Sequence, residues 1–159
     1  MPQKRDTAET TPLGRLDEGD LFSVLGYQVA QAAIATVASF KRSAGEKFSL
    51  RPVEFTILEL VKSNAGVTPS RLASALALKA SHITICIDLL ESRGLVRRER
   101  GEHDRRNMHI RATRKGIEVA TTARSLILEG ERESLPDLSD GERGILLELL
   151  HKVARHRGP

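Results

Sequence analysis

The sequence predicts a mainly α-helical fold with one small β-hairpin, and three observations carry that reading. Apolar residues recur at helical spacing through most of the chain, and aromatics are scarce: four Phe, one Tyr and no Trp in 159 residues. Residues 68–92 read as two helices parted by a turn of about three residues. Directly after Gly94, two short extended runs flank a polar turn. A core built from Leu, Ile, Val and Ala suits helices, and the length fits one domain that buries its own core. The single Cys excludes an intrachain disulfide framework and fits a reducing cytoplasm. No segment approaches the roughly 18–20 apolar residues of a membrane span, and the polar start MPQKRDTAETTP lacks the apolar core of a signal peptide.

In chain order, residues 1–12 read as a flexible arm, because Thr, Glu, Lys and Pro bury too little to offset ordering. Leu13 and Leu16 are expected to anchor a short lead-in. Asp20 reads as the N-cap, and Gly45 as the stop, of a long helix to about Ala44 carrying Leu21, Leu25, Val29, Val37 and Phe40 at helical spacing. Few charges lie between Asp20 and Lys41, so this helix should be covered on two sides, one of them by a partner subunit. Pro52 opens the next helix, to about Asn64, with Val53, Ile57, Leu60 and Val61 inward.

Thr68-Pro69 is a helix start: the hydroxyl accepts an orphan N–H, and Pro at the first position loses no hydrogen bond. A second helix begins near Ala80, with Ile83, Cys86, Ile87 and Leu90 on one face, and ends at Gly94, where a left-handed residue is easiest for Gly. Leu95–Arg100 and Asn107–Ala112 form the hairpin. Thr113 caps a helix to about Leu135, stopped by Pro136. Ser139 and Glu142 form a capping box. The helix that follows carries Ile145, Leu146, Leu149, Leu150 and Val153 as an apolar stripe that needs a partner surface. The architecture is thus a winged helix-turn-helix over 49–115, flanked by dimerisation helices at 13–48 and 116–159.

Charge singles out the hairpin. Residues 93–115 hold nine Lys or Arg and three Asp or Glu, a balance of +6, whereas the whole chain carries +4. Concentrated Arg on a hairpin beside a helix-turn-helix is the electrostatic footprint of a DNA backbone contact. Other chemistry finds little footing. There is no nucleophile–base–orienter set, no Gly-rich phosphate loop and no cofactor motif, so an enzyme is not expected. His82, His103, His109, His151 and His156 build no closed metal site. Cys86 lies between Ile85 and Ile87 on the face read as core, unlike a reactive thiolate, which needs exposure and a nearby cation. Redox sensing through Cys86, and a winged-helix module that binds an acidic protein partner rather than DNA, remain as alternatives.

Several stretches together resemble the MarR family of winged-helix transcription regulators over nearly all of residues 20–156. They are Leu50-x-Pro52 with Phe55, then Leu72-Ala73, then Ile83-Thr84, Asp88-x-Leu90 and Arg93-Gly94-Leu95-Val96. Asp104-x-Arg106 follows, and then Ala112-Thr113-x-x-Gly116. The resemblance implies a homodimer that binds a pseudo-palindromic double-stranded operator, usually as a repressor, and is released by a small effector, an aromatic carboxylate or its CoA thioester. Candidate DNA contacts are Ser70, Lys79, Ser81, His82, Thr84, Ile85, Arg98, Arg105 and Arg106, with Asp104 orienting Arg106. Candidate effector contacts are Tyr27, Gln31, Phe48, Arg51 and Phe55, with Arg51 suited to a carboxylate. The sequence departs from the family pattern at Ile85 and Leu89, where Arg is common. Both share an outward face with His82 and Ser92; they either meet thymine methyls or pack within the domain, and the sequence leaves both open.

Overall fold

A computed structural model describes residues 10–11, 13–100 and 108–156. The chain divides into two compact units, Met1–Ala38 and Ser39–Pro159. In the first, Thr10 and Asp17 form an isolated antiparallel bridge, and a 3-10 turn follows at Gly19–Ser23. Helix α1 (Leu25–Phe40) begins only after the extended residue Val24. Asp20 therefore does not cap it. Asp17 instead accepts the Gly19 N–H at 2.8 Å, a local bond at the entry to the short turn. Leu13 and Leu16 are exposed rather than anchored.

The second unit opens with the buried end of α1, Ser39 and Phe40. Gly45 does not stop the helix. The chain passes through a π turn at Lys41–Gly45 into α2 (Glu46–Phe48), and the break comes at Ser49, with φ +49°. Gly45 is itself helical, at φ −57°. Its lack of a side chain serves packing, because a Cβ there would lie 3.2 Å from the Phe40 ring and 3.3 Å from the Leu50 carbonyl.

The remaining elements follow the sequence expectation closely: α3 (Pro52–Ser63), α4 (Pro69–Leu76), α5 (Ala80–Ser92), β1 (Val96–Arg100), β2 (Met108–Ala112), α6 (Arg114–Ser134) and α7 (Asp140–Ala154). Thr68 accepts from Arg71 N and Thr113 from Gly116 N, as caps should. Ser139 and Glu142 complete their capping box, which holds the Glu142 carboxyl below its usual range, chiefly through the Ser139 hydroxyl. Gly94 takes φ +67°, and the turn it makes returns the chain along α5.

β1 and β2 pair antiparallel from Val96 opposite Ala112 to Arg100 opposite Met108. Val67 adds a single bridge to Ile110. The core gathers Ile57, Leu58 and Val61 of α3, Leu72 of α4, Ile83, Cys86, Ile87 and Leu90 of α5, then Leu95, Val96 and Ile110. Ala120, Ala123 and Ile127 bring α6 onto α3 and the π turn. One backbone approach is very close: a Cβ on Gly116 would lie 1.9 Å from the Leu95 carbonyl oxygen. Helix α7 buries no residue. No single described helix is long and apolar enough to cross a membrane.

Candidate nucleic-acid interface

Helices α4 and α5 are joined by Ala77–Lys79, and the chain bends by 117° between them. A three-residue turn and a near-perpendicular pair are the geometry of a helix-turn-helix. Ala77 supplies the corner in a left-handed conformation, φ +51°. The apolar row on α5 presses the helix into the core, so its opposite face points outward.

On that outward side Ser81, Thr84, Ile85 and Leu89 are exposed and His82 is half-buried. Ile85 is 55% and Leu89 42% exposed, so neither belongs to the buried core of the domain. The Thr84 hydroxyl donates to Ala80 O at 3.0 Å and that of Ser92 to Leu89 O at 2.9 Å. Ser70 is exposed at the start of α4, its hydroxyl 3.0 Å from that of Thr68. Lys79 is exposed just before α5, and its carbonyl accepts from His82 N and Ile83 N. Ser70, Lys79, Ser81, Thr84 and Ile85 are thus available to a ligand approaching the helix-turn-helix.

Arg98 is placed differently from what a freely exposed DNA contact requires. Its guanidinium bonds the carboxylates of both Asp88 and Glu91, and its backbone N–H donates to Glu91 Oε1 at 2.9 Å. The Asp88 hydrogen bond is the largest cause of the rise in its pKa. Arg98 therefore ties the hairpin to α5. A second brace lies on the hairpin itself. Arg97 and Arg111 face each other across the strands, and Glu99 bridges them at 2.7 and 2.6 Å. Asp104, Arg105 and Arg106 lie outside the described residues.

Sequence reasoning missed Arg93. From the end of α5 its guanidinium donates to the carbonyls of Phe48 and Ser49, 45 and 44 residues away. Lys115 Nζ in turn donates to Arg93 O at 2.9 Å. The only sequence signal was a cation beside a helix end, which does not name distant carbonyls.

The effector candidates fall in both units. Tyr27, in the first, donates to Glu18 Oε1 at 3.1 Å, and Gln31 is half-buried. In the second, Phe48 is half-buried under Lys47 Nζ, and the Phe55 ring lies 5.8 Å from that of Phe40. Arg51 is held by Glu54, with Nη2 to Oε1 at 2.7 Å, and the Glu54 side chain is itself buried. Cys86 is buried. Burial pushes its thiol up, against a smaller lowering by Arg51, so it has neither the exposure nor the low pKa of a peroxide sensor. Among the described residues no three His, Cys, Asp or Glu side chains gather to hold a metal.

Comparison with known proteins gives a consistent set of relatives. Residues 50–108 match the model of the MarR family. The chain is 32% identical over 113 residues to the HTH-type transcriptional regulator PecS of Dickeya dadantii (strain 3937), covering 69% of this chain and 68% of that one. It is 26% identical over 155 residues to a putative transcriptional regulatory protein for the hcr operon of Thauera aromatica, covering 98% of this chain and 93% of the relative. Among solved structures it is similar to the transcriptional repressor CouR bound to a 23-mer DNA duplex: TM-score 0.80, 28% identity, 87% of this chain and 98% of that chain.

Proposed function

The chain belongs to the MarR family of DNA-binding, non-enzymatic transcriptional regulators, and on that footing we propose that it represses as a homodimer seated on a pseudo-palindromic operator and leaves it when a small effector binds. The observation that carries the homodimer is α7. Ile145, Leu146, Leu149, Leu150 and Val153 form one row, all exposed, and a contiguous apolar surface of that kind marks an interface. Leu25, Val29 and Val37 of α1 are likewise exposed. A second copy of the chain covers them, so residues 13–48 and 116–159 serve dimerisation and 49–115 bind DNA. Two-fold symmetry then sets half-sites about one helical turn, near 10 bp, apart. Repression is supported by the similarity to a DNA-bound repressor.

Within each DNA-binding unit the labour divides. Ser81, His82, Thr84 and Ile85 of α5 choose the sequence, at about 1–3 kcal/mol per base pair. Ser70, Lys79 and Arg105 meet the backbone, and Arg98 holds the hairpin on α5 so that Arg106, oriented by Asp104, reaches a narrow minor groove. Arg106→Ala then weakens operator and unrelated DNA by similar factors and lowers the salt dependence by roughly one counterion.

The effector is a small aromatic carboxylate or its CoA thioester, met in the second unit by Phe48, Arg51 and Phe55. Its carboxylate competes with Glu54 for Arg51. Only a difference in affinity between the DNA-bound and released states lets it act. Footprinting on the DNA upstream of the chain's own gene, with and without phenolic acids and their CoA esters, tests the whole reading. Two protected half-sites that vanish with one ligand class support it; a single half-site, or protection unchanged by both classes, contradicts it.

A further inference from the structure

We propose that α5 reads thymine through its 5-methyl group, with Ile85 and Leu89 as the reading side chains, so that the centre of each half-site is recognised by apolar contact rather than by charged or amide hydrogen bonding. The inference rests on α5 being the helix that faces DNA, and it follows from an inventory of that helix. Residues 80–92, ASHITICIDLLES, contain no Lys, Arg, Asn or Gln. Those are the side chains that grip guanine or adenine with paired hydrogen bonds in the major groove. The only charged residues, Asp88 and Glu91, are both bonded to Arg98. The Thr84 and Ser92 hydroxyls donate their protons to carbonyls of the helix itself. Beyond Ser81 and His82 in its first turn, what α5 offers to a groove is therefore apolar.

Ile85 and Leu89 stand four residues apart, adjacent on one helical face, and both are exposed although each is a large apolar side chain. Their neighbours Ile83, Cys86, Ile87 and Leu90 fill the core from the opposite side, so the pair has no inward position to retreat to. In the major groove, only thymine presents a methyl group among the four bases. A helix with an apolar outward pair and no free bidentate donor selects T-containing steps. Cations flanking the helix, Lys79 before it and the hairpin arginines after it, supply the backbone attraction.

The experiment uses duplexes selected from a random library by the wild-type chain and then resynthesised with deoxyuridine in place of thymidine, which removes only the methyls. Wild type should lose about four-fold in affinity per methyl contacted. The variant Ile85→Ala/Leu89→Ala should bind thymidine duplexes more weakly than wild type and bind thymidine and deoxyuridine duplexes equally. Ile85→Val, which keeps a β-branched contact, should retain part of the thymidine preference. Indifference of wild type to deoxyuridine, or a double variant that keeps the wild-type preference, overturns the proposal. If the double variant instead binds thymidine duplexes as tightly as wild type, α5 does not face DNA at all, and the broader assignment of the helix fails with it. Both positions are exposed and Ala favours helix, so unchanged circular dichroism is expected for each variant.

Discussion

Helices α5 and α7 carry the same kind of apolar row and meet opposite fates. In α5, Ile83, Cys86, Ile87 and Leu90 are buried by α3, α4 and the hairpin. In α7, Ile145, Leu146, Leu149, Leu150 and Val153 remain exposed. Periodicity thus announces that a face must be covered without saying by what. The chain covers the α5 row itself; under the homodimer proposal a second copy covers that of α7. The glycines repeat the contrast. Gly116, at the start of α6, lies against backbone, whereas Gly144 within α7 has open space where a Cβ would go.

The largest expected effect sharpens that contrast. Gly116→Ala would drive a methyl to 1.9 Å from Leu95 O, and backbone on both sides leaves no flexible group to yield. It should cost on the order of 4 kcal/mol or more, measured by urea unfolding; a loss below about 1 kcal/mol would mean that α6 is not seated on Leu95. Next comes Leu90→Ala, which empties a fully buried site and should cost about 2–5 kcal/mol. A third test is milder: Thr113→Ala removes the cap on Gly116 N and should cost about 1 kcal/mol. The smallest has the opposite sign. Gly144→Ala lies across α7 from the apolar row and should raise stability by about 0.5–1 kcal/mol with no change in oligomeric state. Were it to destabilise, that face of α7 would be covered.

Much of this was legible in the sequence because the deciding chemistry is local. The caps at Thr68, Thr113 and Ser139, the turn at Gly94 and the row on α5 depend on residues within a few positions of each other. Asp20 and Gly45 misled for the same reason. Each has the right residue type for a cap or a stop, but α1 starts only at Leu25, beyond the reach of Asp20, and Gly45 answers to the Phe40 ring and the Leu50 carbonyl. Gly116 was visible as a motif residue, yet its reason, contact with a strand entry 21 positions earlier, is tertiary. At the site the sequence located the helix-turn-helix and its outward face. It did not show that Asp88 and Glu91 hold Arg98, or that Arg93 reaches Phe48 and Ser49, since side-chain partners across elements carry no local signal.

The difference between the two rows is tested most directly by sedimentation equilibrium at micromolar concentration, comparing wild type with Leu146→Glu/Leu150→Glu. The account predicts that wild type sediments at twice the mass of one chain and that the variant falls to a single chain mass while keeping its helical circular dichroism, because the α5 core is closed within each chain. A wild-type protein at single-chain mass, or a variant that stays paired with two charges placed in the α7 row, would contradict it.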